Sequence, residues 1–195
     1  MSENVDRMTL DSIYAFSRSL EARDNYTGAH AEKTIAIARR IGKAVGLGGD
    51  SLDVLEKGAV LHDIGKIGIS DSILRKKAKL TSDEFRMIKT HPKIGAEIIR
   101  VIHFLKDVVP VVLYHHERWD GKGYPSGLKG NEIPLLARIV ALADAYQALT
   151  SDRPYRKAYP KKEALAILKK ESGSHFDKNL VGLLVGLETK KGKPE

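Results

Sequence analysis

The chain has 195 residues, 33 of them Lys or Arg against 25 Asp or Glu, for a formal net charge of +8. With 42% hydrophobic and 30% charged residues it has the balance of a soluble globular protein, and its length suits one domain. The longest apolar run, Val108–Tyr114, is seven residues broken by Pro110, too short to span a bilayer, and zero cysteines exclude disulfides, thiolate zinc sites and cysteine nucleophiles. The start Met1-Ser2-Glu3-Asn4 has neither a basic nor an apolar stretch, so no signal peptide is expected, and the lack of cysteine favours the reducing cytosol. The positive balance suits an anionic partner without choosing one.

In chain order, Leu10, Ile13, Tyr14, Ser17 and Leu20 fall at helical spacing behind Thr9 or Asp11. Thr27 opens a second helix through Ile37, Ile41 and Val45, ended by Gly46 and Gly48. Ser51 starts a third, which carries Leu52, Leu55, Ala59 and Leu61 toward His62-Asp63, and Gly65–Ile69 breaks it. Thr81-Ser82-Asp83-Glu84 matches a capping box, and Pro92 predicts a kink within or between the helical pieces after it. Asp107–Glu117 is apolar-periodic. Residues 118–133 hold four glycines and one proline and read as a long loop. Pro134 fits the first turn of a helix bearing Leu135, Ile139, Leu142 and Tyr146, and two more helices fit 161–172 and 177–189. The class is all-α: one bundle of about seven or more helices over residues 8–189, with a lead-in at 1–7 and a polar tail at 190–195.

Seven histidines require an account, and their grouping is the signal. His62-Asp63 pairs an imidazole with a carboxylate, and His115-His116-Glu117 leads straight into the glycine-rich loop. Asp144 interrupts the apolar run Ile139–Ala145, where burial is costly unless a cation meets the carboxylate. Mixed imidazole and carboxylate donors suit Mn, Fe, Co, Ni or Zn. Two such ions about 3.5–4 Å apart form a clamp for phosphate-ester hydrolysis.

These residues resemble the HD-GYP subgroup of the HD-domain phosphohydrolases. The matching stretches are Arg23–His30, His62–Gly68, Thr90-His91-Pro92, His115–Pro125, Ile133-Pro134, Ala137-Arg138-Ile139, Asp144 and Asp152–Ala158, covering nearly the whole chain. The resemblance implies a helical bundle whose metal centre hydrolyses cyclic di-GMP. It implies two divalent ions, Fe or Mn first, with Zn, Ni or Co as alternatives. One would be held by His30, His62, Asp63 and Asp144, the other by His91, His115 and His116, with Asp63 bridging. Lys66, four residues after His62, would act with Asp63 in catalysis and face the substrate phosphate. Arg153 and Arg156 would contact the nucleotide, and Gly123-Tyr124-Pro125 would shape the substrate site. His103 and His175 match no motif of the family.

Two departures stand out. Some members place a third-metal Glu where this chain has Tyr26, so two ions are expected. Gln147 replaces a usual Asp and removes its charge. The rival readings are a regulatory module that binds the dinucleotide or a protein without turnover, and a phosphohydrolase for another nucleotide. Family members usually sit behind sensory or receiver domains, so such a domain or protein is an expected partner. The Lys-rich runs lack interleaved aromatics, so DNA or RNA binding is not expected.

Overall fold

The computed structural model describes residues 2–23, 30–152 and 156–190. Its helices are α1 (Ser2–Arg23), α2 (His30–Ala44), α3 (Gly49–Leu61), α4 (Asp71–Leu74), α5 (Ser82–Ile88), α6 (His91–Arg100), α7 (Val109–Tyr114), α8 (Leu135–Leu149), α9 (Lys161–Lys170) and α10 (Lys178–Lys190). Short 3₁₀ segments lie at Ile64–Gly68, His103–Val108 and Gly130–Glu132. Among the described residues β-structure is limited to two isolated bridges, so the fold is all-α as expected. None of the described helices is long and apolar enough to cross a membrane.

Several boundaries differ from the sequence reading. Helix α1 already begins at Ser2, so residues 2–7 continue it and form no separate lead-in, and Lys190 closes α10. Helix α3 starts at Gly49, before Ser51. Pro92 sits in the first turn of α6, where its missing N–H costs nothing, so it opens a helix instead of kinking one. Pro110 does the same for α7, and the single segment expected over 107–117 divides into a 3₁₀ turn and a short helix. The capping box is present. Glu84 N donates to Thr81 Oγ1 at 3.2 Å, and Thr81 N donates to Glu84 Oε2 at 2.7 Å.

Two apolar clusters hold the bundle. In one, Ala38 and Ile41 of α2 and Leu55 of α3 pack on Ile139 and Leu142 of α8, Leu168 of α9 and Leu184 of α10. The other joins Leu20 of α1, Leu61 of α3, Ile99 of α6, Leu105 of the second 3₁₀ segment and Val112 of α7. Helix α3 contributes to both, and its C-terminal end projects from the seam between them. Helix α8 is apolar around most of its circumference and is correspondingly central. Each fully buried Leu or Ile here contributes about 1.5–3 kcal/mol relative to exposure.

One close approach fixes the 3₁₀ turn Ile64–Gly68 against α6. A Cβ on Gly65 would stand 1.9 Å from the His91 carbonyl oxygen and 2.5 Å from Gly95 N. Only glycine allows the two backbones to meet there.

Candidate metal centre

Three helix ends and one helix interior converge at the seam. His62 and Asp63 follow the last residue of α3, His91 opens α6, His115 and His116 follow α7, and Asp144 lies within α8. One ligand atom from each of Asp63, His91, His115 and His116 can be chosen so that all lie within 4.8 Å of one another. His62 adjoins them: its Nε2 is 3.3 Å from Asp63 Oδ2 and 4.0 Å from Asp144 Oδ1. Asp144 retains 26% side-chain exposure, so it looks into the site and is not sunk in the apolar run around it. His30 opens α2, but its side chain, like Tyr26 and Arg153, lies outside the described residues.

The ends of the helices set the imidazole tautomers. Nδ1 of His62 lies 2.9 Å from Ala59 O, that of His91 2.7 Å from Ile88 O, and that of His115 2.8 Å from Val112 O. A carbonyl only accepts, so each Nδ1 donates and each Nε2 points inward with its lone pair available in the neutral ring. The three carbonyls belong to final helical turns, which have no intrahelical donors of their own. One contact therefore closes a helix and aims a ligand.

The donor set fits a divalent transition metal. Nε2 of His91 and Nε2 of His115 are 3.4 Å apart and face each other. Nitrogens about 2.0–2.1 Å from a shared ion would lie at such a separation, and a cation between them removes the repulsion of two lone pairs. Asp63 supplies the charge, with Oδ1 3.3 Å from His91 Nε2 and Oδ2 2.9 Å from Lys66 Nζ. Burial opposes ionisation of Asp63, yet Lys66, His62 and His91 together hold its carboxyl well below the usual range. Burial would likewise lower His62, but Asp63 and Asp144 override it and push the imidazole up to about 9. Burial first, and then the neighbouring imidazoles, keep His115 and His116 well below their ordinary value, so both are neutral and ready to ligate.

Lys66 lies in the 3₁₀ turn and not one α-helical turn beyond His62; its partner is Asp63, three residues back. Tyr124 stacks on His116 with centroids 4.8 Å apart and planes at 24°, and its N donates to His116 O at 3.2 Å. Burial foremost raises the Tyr124 hydroxyl far above its usual pKa, so it remains a donor. Gly123 is a steric requirement, since a Cβ there would lie 2.3 Å from Arg118 N and 2.5 Å from Glu117 Cα. Pro125 follows through a cis peptide bond.

Glu117 has a role the sequence reading did not assign. It is buried, and its Oε1 accepts from Ser126 N at 2.7 Å and Gly127 N at 3.0 Å, tying the far side of the loop to the double histidine. An acid at the mouth of a turn-rich loop, where backbone N–H groups lack partners, was the available signal.

Arg156 has partners the motif does not show. Its guanidinium folds under the end of α8, donating to Ala148 O at 2.7 Å and Lys157 O at 2.8 Å, and stacks 4.2 Å from the Tyr159 ring. The motif alone could not reveal these carbonyl partners. Arg156→Ala is expected to lower the unfolding free energy by about 1–2 kcal/mol, measured by urea denaturation, while metal content stays at the parent level. Gln147, the uncharged replacement, is buried in α8 and donates through Nε2 to Ser151 Oγ at 3.1 Å.

The HD domain family matches residues 15–180 of the chain. The chain belongs to the HD domain family. This HD domain is 41% identical over 183 residues to the cyclic di-GMP phosphodiesterase response regulator RpfG of Xanthomonas campestris, covering 93% of the chain and 48% of that protein. It is 39% identical over 205 residues to a cyclic di-GMP phosphodiesterase of Vibrio cholerae, covering 97% and 42% respectively. Among solved structures, a cyclic GMP-AMP-specific phosphodiesterase of V. cholerae superposes with a TM-score of 0.69 at 21% identity, over 90% of this chain and 48% of the other. The HD domain thus spans about half the length of the curated relatives it matches.

Proposed function

We propose that this HD domain is a metal-dependent phosphodiesterase of the HD-GYP type that hydrolyses cyclic di-GMP to the linear 5′-phosphorylated dinucleotide, with GMP after a second round. The observation that carries the reading is the convergence of Asp63, His91, His115 and His116 in one cluster. Relatives named for the same activity support it. A cytoplasmic site of action and a sensory or receiver partner fit an intracellular second messenger, and one matched relative is named a response regulator.

His91, His115, His116 and Asp63 would hold one ion, and His62, Asp144 and His30 a second that shares Asp63. Bound there, the pair would lower the pKa of a water and neutralise charge on the phosphoryl oxygens. The chain's own groups do the rest. Lys66, held beside Asp63, offers an ammonium to the same oxygens as charge develops on them. Stacked on His116, Tyr124 shields one flank of the cluster and presents a protonated hydroxyl.

Metal loading is expected to be coupled to protons. In the metal-free protein His62 is an imidazolium at neutral pH, with Nδ1–H donating to Ala59 O and Nε2–H facing Asp63 Oδ2. Its raised folded pKa adds stability to the metal-free form that is full below about 6.5, the unfolded value, and is lost as pH rises through about 9. Because His62 must be neutral to ligate, metal affinity should climb across the same window, with about one proton released per protein near pH 7. Calorimetry of Mn binding in buffers of different ionisation enthalpy would measure it, and loading without proton release would contradict it.

The decisive test is metal analysis of the purified protein, followed by cyclic di-GMP turnover with Mn or Fe(II) under anaerobic conditions. Linear dinucleotide is the expected product. A metal-loaded protein that binds cyclic di-GMP but leaves it intact would establish the regulatory-module reading. One that cleaves only cyclic GMP-AMP would move the substrate to the one for which the superposed V. cholerae enzyme is named.

A further inference from the structure

Beyond Tyr124, the rim of the cluster carries a cation that neither the motifs nor the metal chemistry uses. Lys89 links α5 to α6, two residues before His91. Its Nζ lies 4.7 Å from the centroid of the Phe85 ring and 5.3 Å from that of the Tyr124 ring. Tyr124 in turn stacks on His116, so imidazole, phenol, ammonium and phenyl form a continuous series from the metal cluster to the surface.

The two rim lysines differ in what faces their charge. Lys66 lies 2.9 Å from Asp63 Oδ2 and shares its field with that carboxylate. Among the described residues no carboxylate pairs with Lys89. Two ring faces hold its ammonium instead, and cation–π contact orients a charge without cancelling it. A lysine kept in place but not neutralised is suited to an anionic ligand, and its compact ammonium suits a phosphate oxygen. Beside it Phe85 is 47% exposed, with Met87 of the same helix at 50%, so apolar area is left uncovered next to the cation. An exposed phenyl ring offers a face on which a purine can stack.

A cyclic dinucleotide carries two phosphodiesters in one ring, and only one can occupy the metal cluster at a time. We propose that Lys89 binds the second phosphodiester and that Phe85 stacks on the adjoining purine, so that this pair selects cyclic dinucleotides over simple phosphate diesters. The proposal rests on the phosphodiesterase reading above and deepens it.

The test compares two substrates on the Mn-loaded protein: cyclic di-GMP, and bis(p-nitrophenyl) phosphate, which has one phosphate and no purine. Lys89→Met keeps the aliphatic stem and removes the charge; Lys89→Arg keeps the charge. For Lys89→Met the ratio of kcat/KM for cyclic di-GMP to that for the simple diester should fall about tenfold or more, the usual scale for one hydrogen bond to a charged group. The loss should lie in KM and not kcat, because the second phosphate is distant from the reacting bond. Lys89→Arg should restore most of the ratio, and Phe85→Ala should lower it in the same direction. An equal loss on both substrates would make Lys89 a structural clamp for Tyr124 and overturn the proposal, as would an unchanged ratio. A parent protein that cleaves the simple diester but no cyclic dinucleotide would instead overturn the functional reading, and the Lys89 proposal with it.

Discussion

Asp63→Ala is expected to strip the centre of metal and abolish turnover. Asp63 is the carboxylate within the four-residue cluster, and its two oxygens face three neighbouring groups. Its Oδ1 lies 3.3 Å from His91 Nε2, and its Oδ2 lies 3.3 Å from His62 Nε2 and 2.9 Å from Lys66 Nζ. Removing it deletes the carboxylate proposed to serve both ions and takes from Lys66 the Asp63 contact at 2.9 Å. Loss of a group one step removed from a metal already costs about 10–100-fold in affinity, so a shared ligand should cost more than about 100-fold. Asp63→Asn separates charge from shape: it fills the same space and should still lose metal. Metal content and turnover measured on one preparation check both variants. Full metal content with parental activity in Asp63→Ala would remove Asp63 from the centre.

Gly65→Ala should be the most damaging change that adds a single carbon. The new Cβ would meet the His91 carbonyl oxygen at 1.9 Å and Gly95 N at 2.5 Å, and both are backbone atoms that cannot rotate away. Non-bonded atoms settle at about 3.5–4.0 Å, so the 3₁₀ turn and α6 would have to part by more than an ångström. Overpacking of a core typically costs about 1–3 kcal/mol, and a backbone clash belongs at or above the top of that range. The separation would also draw Asp63 and Lys66 away from His91, so metal affinity should fall together with the urea midpoint. Gly182→Ala is the control. It lies in α10 with nothing within 4 Å of its added Cβ, and it should be neutral or stabilising by up to about 1 kcal/mol. If Gly65→Ala kept the parental midpoint and metal content, the close approach would not be what aligns the site.

Much of the candidate site was legible because its chemistry is concentrated in short stretches. His62-Asp63 and His115-His116 are adjacent in the chain, and helix termini supply both pairs. Asp144 could be read from its apolar neighbours, which place α8 in the interior. The all-α class followed from helical spacing alone. Other features depend on partners distant in sequence and were not legible. Arg156 could be assigned to a ligand from its motif, whereas its partners are the carbonyls of α8. Pro92 reads as a kink and Pro110 as the interior of one segment over 107–117, because a proline in the first turn of a helix and one inside it look alike in a local window. Lys89 belongs to no ligand pattern. Its place at the rim depends on the glycine-rich loop returning Tyr124 against His116, a packing relation no spacing rule encodes.

The carbonyls of Ala59, Ile88 and Val112 also bear on how long an ion would stay. A ring can swing out of the cluster only by surrendering the carbonyl that finishes its own or the preceding helix, so ligand release and unwinding of that last turn become one event. Escape of a bound ion would then be coupled to fraying of α3, α5 and α7. Amide exchange at those three ends would serve as a clock for metal residence, and a substitution that loosens any of them would shorten it without touching a donor atom.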